Sequence, residues 1–437
     1  MRLSDIFTDN MILQQNKKIA IFGFGNGVGS VEFCEKKTEF KSKDDRFCVY
    51  LPPEKAGGPY DMTVTLDQEK IVLKNILIGD VFIAAGQSNM QMKLSEVVDI
   101  EKKTNFNIRF FTEPHDADRC MNTSYNQVGW QVCDDHISDF SAIGYGVAQL
   151  LSEKTDIPIG ILSVNKGASR VDAWTAPEIV NTPEYEKMIV KKHQDYDVFG
   201  FNQDSWLYSN KLLPVVPFAV RGVLWYQGES NRCYDEGISY CKMFKTMVQN
   251  WRDLWNDNLP FYTVQLMPFD EDNKIADWAI IRKNQELAAK TIENVYLTTL
   301  VNTDEEKEIH PTKKSMVCKA LANAILNTLY GEAIEYCGPV FESYQHIENG
   351  VRISFSHNNR LTVKNSRLLD VYAYDNENNV HSTSAEIKNN ALEITWQSEV
   401  EVKRITMGYC NSPRHNLYNS EGFLASPFEI TFDDESV

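Results

Sequence analysis

At 437 residues the chain is too long for one ordinary hydrophobic core, so two or three domains are expected. Its 43% hydrophobic and 24% charged residues are those of a globular protein, and no apolar run approaches the ~18 residues that argue for a membrane-spanning helix. The missing apolar run argues against membrane insertion, and a net charge of −17, from 44 basic against 61 acidic residues with no compact basic patch, argues against nucleic acid as a partner.

Residues 1–74 read as a β-rich domain. KIAIFGFG, SVEFCE, RFCVYL and YDMTVTL are short strand-like runs punctuated by Gly, Asp, Lys and Pro. The glycines of GFGNGVG are turn glycines, because no Lys-Ser/Thr ending and no helix follow them. From 75 to 331 the pattern changes. ILIGDVFIAAG, IPIGILSVNKG, VRGVLWYQG, LPFYTVQLMPF and VYLTTLVNT carry buried-strand runs, and AIGYGVAQLLSEKT and WAIIRKNQELAAKTI between them read as helices. This alternation predicts an α/β domain with a parallel sheet and helices on both faces. KSMVCKALANAILNTLYG closes it as a helix stopped by Gly331. Residues 174–212, rich in Tyr, Asp and Lys with weak periodicity, read as an insertion beside the loop end of the sheet. Residues 332–437 return to short runs such as GVRISF, LLDVYAY, ALEITW and KRITMGY, a second β-rich domain.

Ligands of an open parallel sheet bind beyond the carboxyl ends of its strands, and four of these runs end in polar loops. DVFIAAG breaks at Gly86 into Gln87-Ser88-Asn89, which sets Ser88 near a helix N-terminus, where backbone N–H groups favour negative charge. Taken alone, a serine there is a helix cap more often than a nucleophile. In ILSVNKGASRVDAW, Gly167 lets the backbone approach a ligand and donate its N–H. In VRGVLWYQGESN, Gln227 or Asn231 supplies a side-chain N–H for an oxyanion. In EEKEIHPTKK, His310 stands before Pro311, which is expected to start the last helix and hold the imidazole in place.

GQSNM at 86–90, WYQGESN at 225–231 and IHP at 309–311 strongly resemble the sialate O-acetylesterase family of SGNH-type hydrolases, which is related to acetylxylan esterases. LPPEKAGGPYDMTV and the tail SEGFLASPF extend the likeness over nearly the whole chain. The resemblance implies a flavodoxin-like three-layer core with accessory β-rich domains at both termini. It makes Ser88 the nucleophile and His310 the base, with the N–H groups of Ser88 and Gly167 in the oxyanion hole beside a side chain from the third block. Gln227 is favoured for that role, leaving Glu229 and Asn231 to organise the loop. The implied activity is removal of O-acetyl groups from sialic acids, with acetylxylan or another acetylated glycan as the alternative substrate. A carbohydrate-binding protein without turnover is the alternative of a different class.

One departure stands out. The acid that usually precedes the histidine by three residues is replaced by Lys307, so Glu308 leads as the third member, with Asp304, Glu229 or no acid as alternatives. Arg170 and Arg232 are candidates for a substrate carboxylate, and Trp174 and Trp225 for a sugar-binding face. No metal or cofactor is expected: His115 and His136 make no zinc spacing with the cysteines. The nine cysteines form no CxxC pair and are odd in number, which points to free thiols. MRLSDIFTDNMILQQ has no apolar run of signal-peptide length, so a cytoplasmic location is expected, or a secreted or periplasmic one where a leader has been removed.

Overall fold

One strand of 18 residues, β1 (Glu69–Gly86), runs through the centre of the molecule. The computed structural model of the chain describes residues 1–112, 129–134, 136–189, 200–203, 205–232, 234–270, 277–365, 367–397 and 399–432. The first half of β1 pairs antiparallel with Gly57–Leu66, and its side chains alternate between exposed and buried. From Ile76 onward every residue is buried, as in a strand covered on both faces. The expected boundary at 74 therefore falls inside a continuous strand. The sequence pattern changes there because the neighbours of β1 change. Ile12–Gln14 joins β1 in parallel at Leu77–Gly79.

The second half of β1 is the middle of a mixed sheet. The other strands are β2 (Asn105–Thr112), β3 (Gly129–Cys133), β4 (Ile159–Asn165), β5 (Gly222–Tyr226), β6 (Phe261–Val264) and β7 (Val295–Thr298). Their order is β3-β2-β4-β1-β5-β6-β7, parallel except for β3 at one edge. β4 and β5 both lie in register with β1, so that Asn165 and Tyr226 flank Gly86. Three strand ends thus finish level, and the loops that follow them meet.

Two helix pairs cover this sheet. α1 (Ser88–Gln91) is a single turn; α2 (Ala142–Thr155) packs on α5 (Ser315–Tyr330), and α3 (Tyr240–Trp255) on α4 (Asp277–Thr291). The Ser141 hydroxyl caps α2 by accepting from Gly144 N–H at 3.1 Å, and Gly331 ends α5 at φ +74°, the left-handed conformation expected of it. No described helix is long and apolar enough to cross a membrane. The seven described cysteines are all free thiols. His115 and residues 190–199 and 204 of the expected insertion lie outside the described residues.

The N-terminal strands and the α/β region share one hydrophobic core, reaching from Leu3 to Leu326. The C-terminal region has its own, in which Val351, Ile353 and Leu392 of one four-stranded sheet meet Ile405, Met407 and Phe428 of another. Arg282 of α4 ties that unit to the rest. Its guanidinium, fully buried, donates to Leu266 and Met267 carbonyls at 2.7 and 2.8 Å and to Cys410 and Asn411 carbonyls at 2.8 Å each. Burial lowers its pKa to about 10, and charge-assisted bonds to carbonyl dipoles offset the desolvation. Arg282→Met takes the guanidinium donors from the Leu266, Met267 and Cys410 carbonyls, while Asn411 keeps the Phe269 N–H at 3.2 Å, and it is expected to destabilise the protein by ~3 kcal/mol or more, read as a lower denaturant midpoint.

Candidate active site

The turn that carries Ser88 is built on a glycine. Gly86 adopts φ +126°, and a Cβ there would stand 2.1 Å from the Tyr226 carbonyl oxygen, so only glycine lets β1 and β5 close up at their ends. The chain then turns into α1, whose N-cap is Gln87. Ser88 is the first helical residue, half-buried, and its hydroxyl lies 2.7 Å from His310 Nε2. A serine serving as the cap would instead sit at 87 and bond to a backbone N–H of the first turn. The Gln87 side chain joins the loops, its Oε1 accepting from Ser230 N–H at 3.2 Å and Gly228 N–H at 3.4 Å.

His310 reaches Ser88 from a loop held at both ends. The Glu305 carboxylate accepts from Thr312 N–H, Thr312 Oγ1 and Lys313 N–H at 2.9, 2.7 and 3.2 Å, which lowers its pKa against the opposing effect of burial. Asp99, from a distant loop, accepts from Lys314 N–H and Ser315 N–H at 2.8 and 3.1 Å. This corrects the expectation for Pro311: α5 starts at Ser315, and Asp99 caps it, while the proline lies a turn ahead of the helix. The imidazole pKa is lowered, first by partial desolvation and then by the Lys314 ammonium, against the opposing carboxylates of Glu96 and Glu308.

Glu308 and Asp304 are both exposed, and among the described residues no carboxylate hydrogen-bonds to His310 Nδ1. Glu229 is buried and turned to other work: its Oε1 accepts from Asn89 Nδ2 at 2.6 Å. Its pKa is raised by burial, opposed by that hydrogen bond and by Lys314 and Arg232.

The loop after β4 passes beside Ser88. A Cβ on Gly167 would stand 3.5 Å from Ser88 Cβ, so a larger side chain would crowd the serine. Gly167 N–H donates to Gln91 Oε1 at 2.6 Å. The loop is pinned by Lys166 N–H and Ser169 Oγ on the Gly86 carbonyl at 3.0 and 3.2 Å, and by Asn202 between Arg170 N–H and the Ala168 carbonyl at 3.0 and 2.9 Å.

The two amides of the third block differ in what remains to them. Gln227 Nε2 donates to Asn231 Oδ1 at 2.8 Å and to the Ser169 carbonyl at 3.1 Å, and its Oε1 accepts from Tyr240. Asn231 Oδ1 accepts also from Val171 N–H at 3.1 Å, whereas its buried Nδ2 has no hydrogen-bond partner among the described residues. Four other sequence candidates separate in the same way. Trp174 and Trp225 lie in the core, donating to Ser169 Oγ and Tyr240 Oη, so neither offers a face to a sugar. Arg170 is buried between Asp172 at 3.2 Å and Glu236 at 2.7 Å, which occupies the charge that a substrate carboxylate would need. Arg232 is only partly buried, over the Trp278 ring at 6.0 Å.

A serine hydroxyl bonded to an imidazole, beside the Gly167 loop, is an arrangement that can perform acyl transfer. Residues 78–327, more than half of the chain, match the model of a family described as carbohydrate esterase, sialic acid-specific acetylesterase. The chain belongs to this family. Among relatives of this esterase family member, the sialate O-acetylesterase of Pongo abelii is 25% identical over 301 residues, 61% of this chain and 56% of that protein. The chain thus spans little more than half the length of that relative. The sialate O-acetylesterase of Mus musculus is 23% identical over 434 residues, 83% of this chain and 80% of that protein. The crystal structure of a carbohydrate acetylesterase from Xanthomonas citri is 25% identical and superposes with a TM-score of 0.87 over 99% of this chain and 100% of that one.

The residues around Ser88 and His310 that sequence reasoning passed over are Asn89, Gln91, Asp99, Glu305 and Lys314. Two of them, Asn89 and Gln91, sit within or just after GQSNM, and that proximity was the only local signal for them.

Proposed function

We propose that the protein is a serine carbohydrate esterase that removes O-acetyl groups from sialic acids, working on a flavodoxin-like three-layer core. Counted along the chain without β2 and β3, the order β4-β1-β5-β6-β7 is 2-1-3-4-5, which supports that reading of the sheet. The 2.7 Å contact between His310 Nε2 and Ser88 Oγ carries the functional reading. Oγ attacks the acetyl carbonyl as Nε2 takes its proton. The N–H groups of Ser88 and Gly167 and the Asn231 amide receive the oxyanion, and Gln91 turns away from Gly167 to admit it. The sugar hydroxyl leaves with the proton from Nε2, and water repeats the sequence on the acetyl-serine.

The base must be neutral to act. Since the His310 pKa lies below 6.5, the imidazole stays neutral to more acidic pH than an ordinary histidine, and activity is lost as pH falls through the lowered value. The acid limb of kcat/KM is therefore expected below pH 6.5. A midpoint at or above that value would contradict the assignment.

The sequestered Arg170 favours a second substrate reading, a neutral acetylated glycan such as acetylxylan, because one of the two arginines expected to meet a sialate carboxylate is already paired. Acetate release from 9-O-acetylated sialic acid and from acetylated xylo-oligosaccharide, compared at equal concentration, decides between them. Preference for the sialate is the expected result, and equal or reversed preference replaces it with the glycan. If neither ester is cleaved and no fluorophosphonate adduct forms, a binding protein without turnover takes the place of both.

A further inference from the structure

We propose that Lys314 and Glu229 are positioning residues that act through the Asn89 amide to hold His310 against Ser88. They fix the position of the base through the backbone, which is the orienting part of what a triad acid does through the far ring nitrogen. The proposal rests on Ser88 and His310 being the reacting pair, and not on which sugar carries the ester.

Asn89 follows the nucleophile, and Ile309 precedes the base. Asn89 Nδ2 donates to the Ile309 carbonyl at 3.0 Å and to Glu229 Oε1 at 2.6 Å, while Asn89 Oδ1 accepts from Lys314 Nζ at 2.7 Å. An ammonium can only donate and a carboxylate can only accept, so the pair allows the amide one orientation, the one that offers an N–H to Ile309. All three side chains are buried: Lys314 is 0% exposed, and Asn89 and Glu229 are each 2% exposed. Solvent therefore does not compete for these bonds, and the loop carrying His310 is tied to the turn carrying Ser88.

The charges also reach the base. Around His310 stand Ser88, Glu96, Glu308 and Lys314; around Lys314 stand Glu229, Glu305, Asp99 and Cys318, with the Tyr226 ring 5.6 Å from the ammonium. Burial lowers the Lys314 pKa to about 8, opposed first by Glu229, so the ammonium persists at neutral pH and disfavours a second positive charge on the imidazole.

The test uses the full chain and the rate at which a fluorophosphonate labels Ser88, measured across pH; that rate does not depend on the sugar. Misplacing a reacting group by ~1 Å costs about 100-fold, so Asn89→Ala and Lys314→Met are both expected to label about 100-fold more slowly. The acid limb should move to higher pH in Lys314→Met, which removes the ammonium, and stay in place in Asn89→Ala, which keeps it. Lys314→Arg, with charge and donor retained, should recover most of the rate and the wild-type limb. Wild-type labelling rate and an unmoved limb in folded Lys314→Met overturn the proposal. So does a lower melting temperature with no shift of the limb. Labelling without acetate release from either sugar refutes only the proposed substrate, whereas a wild type that does not label refutes both.

Discussion

Ser88→Ala is expected to lower acetyl-ester turnover by at least ~1000-fold while leaving the melting temperature almost unchanged. The hydroxyl is half-buried, and its bond is to His310 Nε2, so its loss opens no core cavity and strands no buried partner. What disappears is the proposed nucleophile, and the residual rate would report only what the oxyanion donors and substrate binding do for water. His310→Ala should fall to a similar level. The double variant should fall little further, because the two residues act as one unit. Steady-state turnover with thermal melting of each protein measures this, and fluorophosphonate labelling should vanish with the serine. Normal turnover by Ser88→Ala would remove the mechanism altogether.

The places of Ser88 and His310 at the ends of elements were legible in the sequence because each ends or precedes an element whose own pattern is strong. The apolar run of β1 stops at a glycine, and the stripe of α5 begins shortly after Pro311. The helix at 142–155 and the stop at Gly331 were readable for the same reason: helical spacing and a left-handed cap are local properties of the chain. β2 was not. Its NFNIRFFT opens with the largely exposed Asn105, Phe106 and Asn107 near the sheet edge, and burial starts only at Ile108. The network of Asn89, Glu229 and Lys314 was illegible for a different reason. Its members are 140 and 225 positions apart, and each is unremarkable among its own neighbours. Trp174 and Trp225 show the limit from the other side, since an aromatic beside a polar loop looks the same in sequence whether it faces a sugar or a core. Asp99 capping α5 from more than 200 residues away is likewise a tertiary event, and it displaced the local signal of Pro311.

The choice between Gln227 and Asn231 could not be made from composition, because both carry the same amide and lie in the same loop. It turns on which N–H is left after the others are spent. Asn231→Ala is accordingly expected to lower kcat by ~100- to 1000-fold, about 3 kcal/mol of transition-state stabilisation, with KM little changed. Asn231 Oδ1 is fixed by Val171 N–H and Gln227 Nε2, so the amide cannot exchange its ends without facing donors with a donor. Its Nδ2 is buried without a partner among the described residues, an arrangement that costs ~1–3 kcal/mol and that an oxyanion in the proposed place would offset. Asn231→Asp sharpens the test. It keeps the Oδ1 acceptor for Val171 and Gln227 but replaces the donor with an acceptor, so kcat should drop at least as far as in the alanine variant. Gln227→Ala, by contrast, removes bonds to Ser169 and Tyr240 and should show first as a lower melting temperature. If both Asn231 variants kept kcat within tenfold of wild type while folded Gln227→Ala lost it, the oxyanion donor would be Gln227. An effect of Asn231 confined to KM would instead make its amide a ground-state contact with the sugar, since only an interaction stronger in the transition state changes kcat.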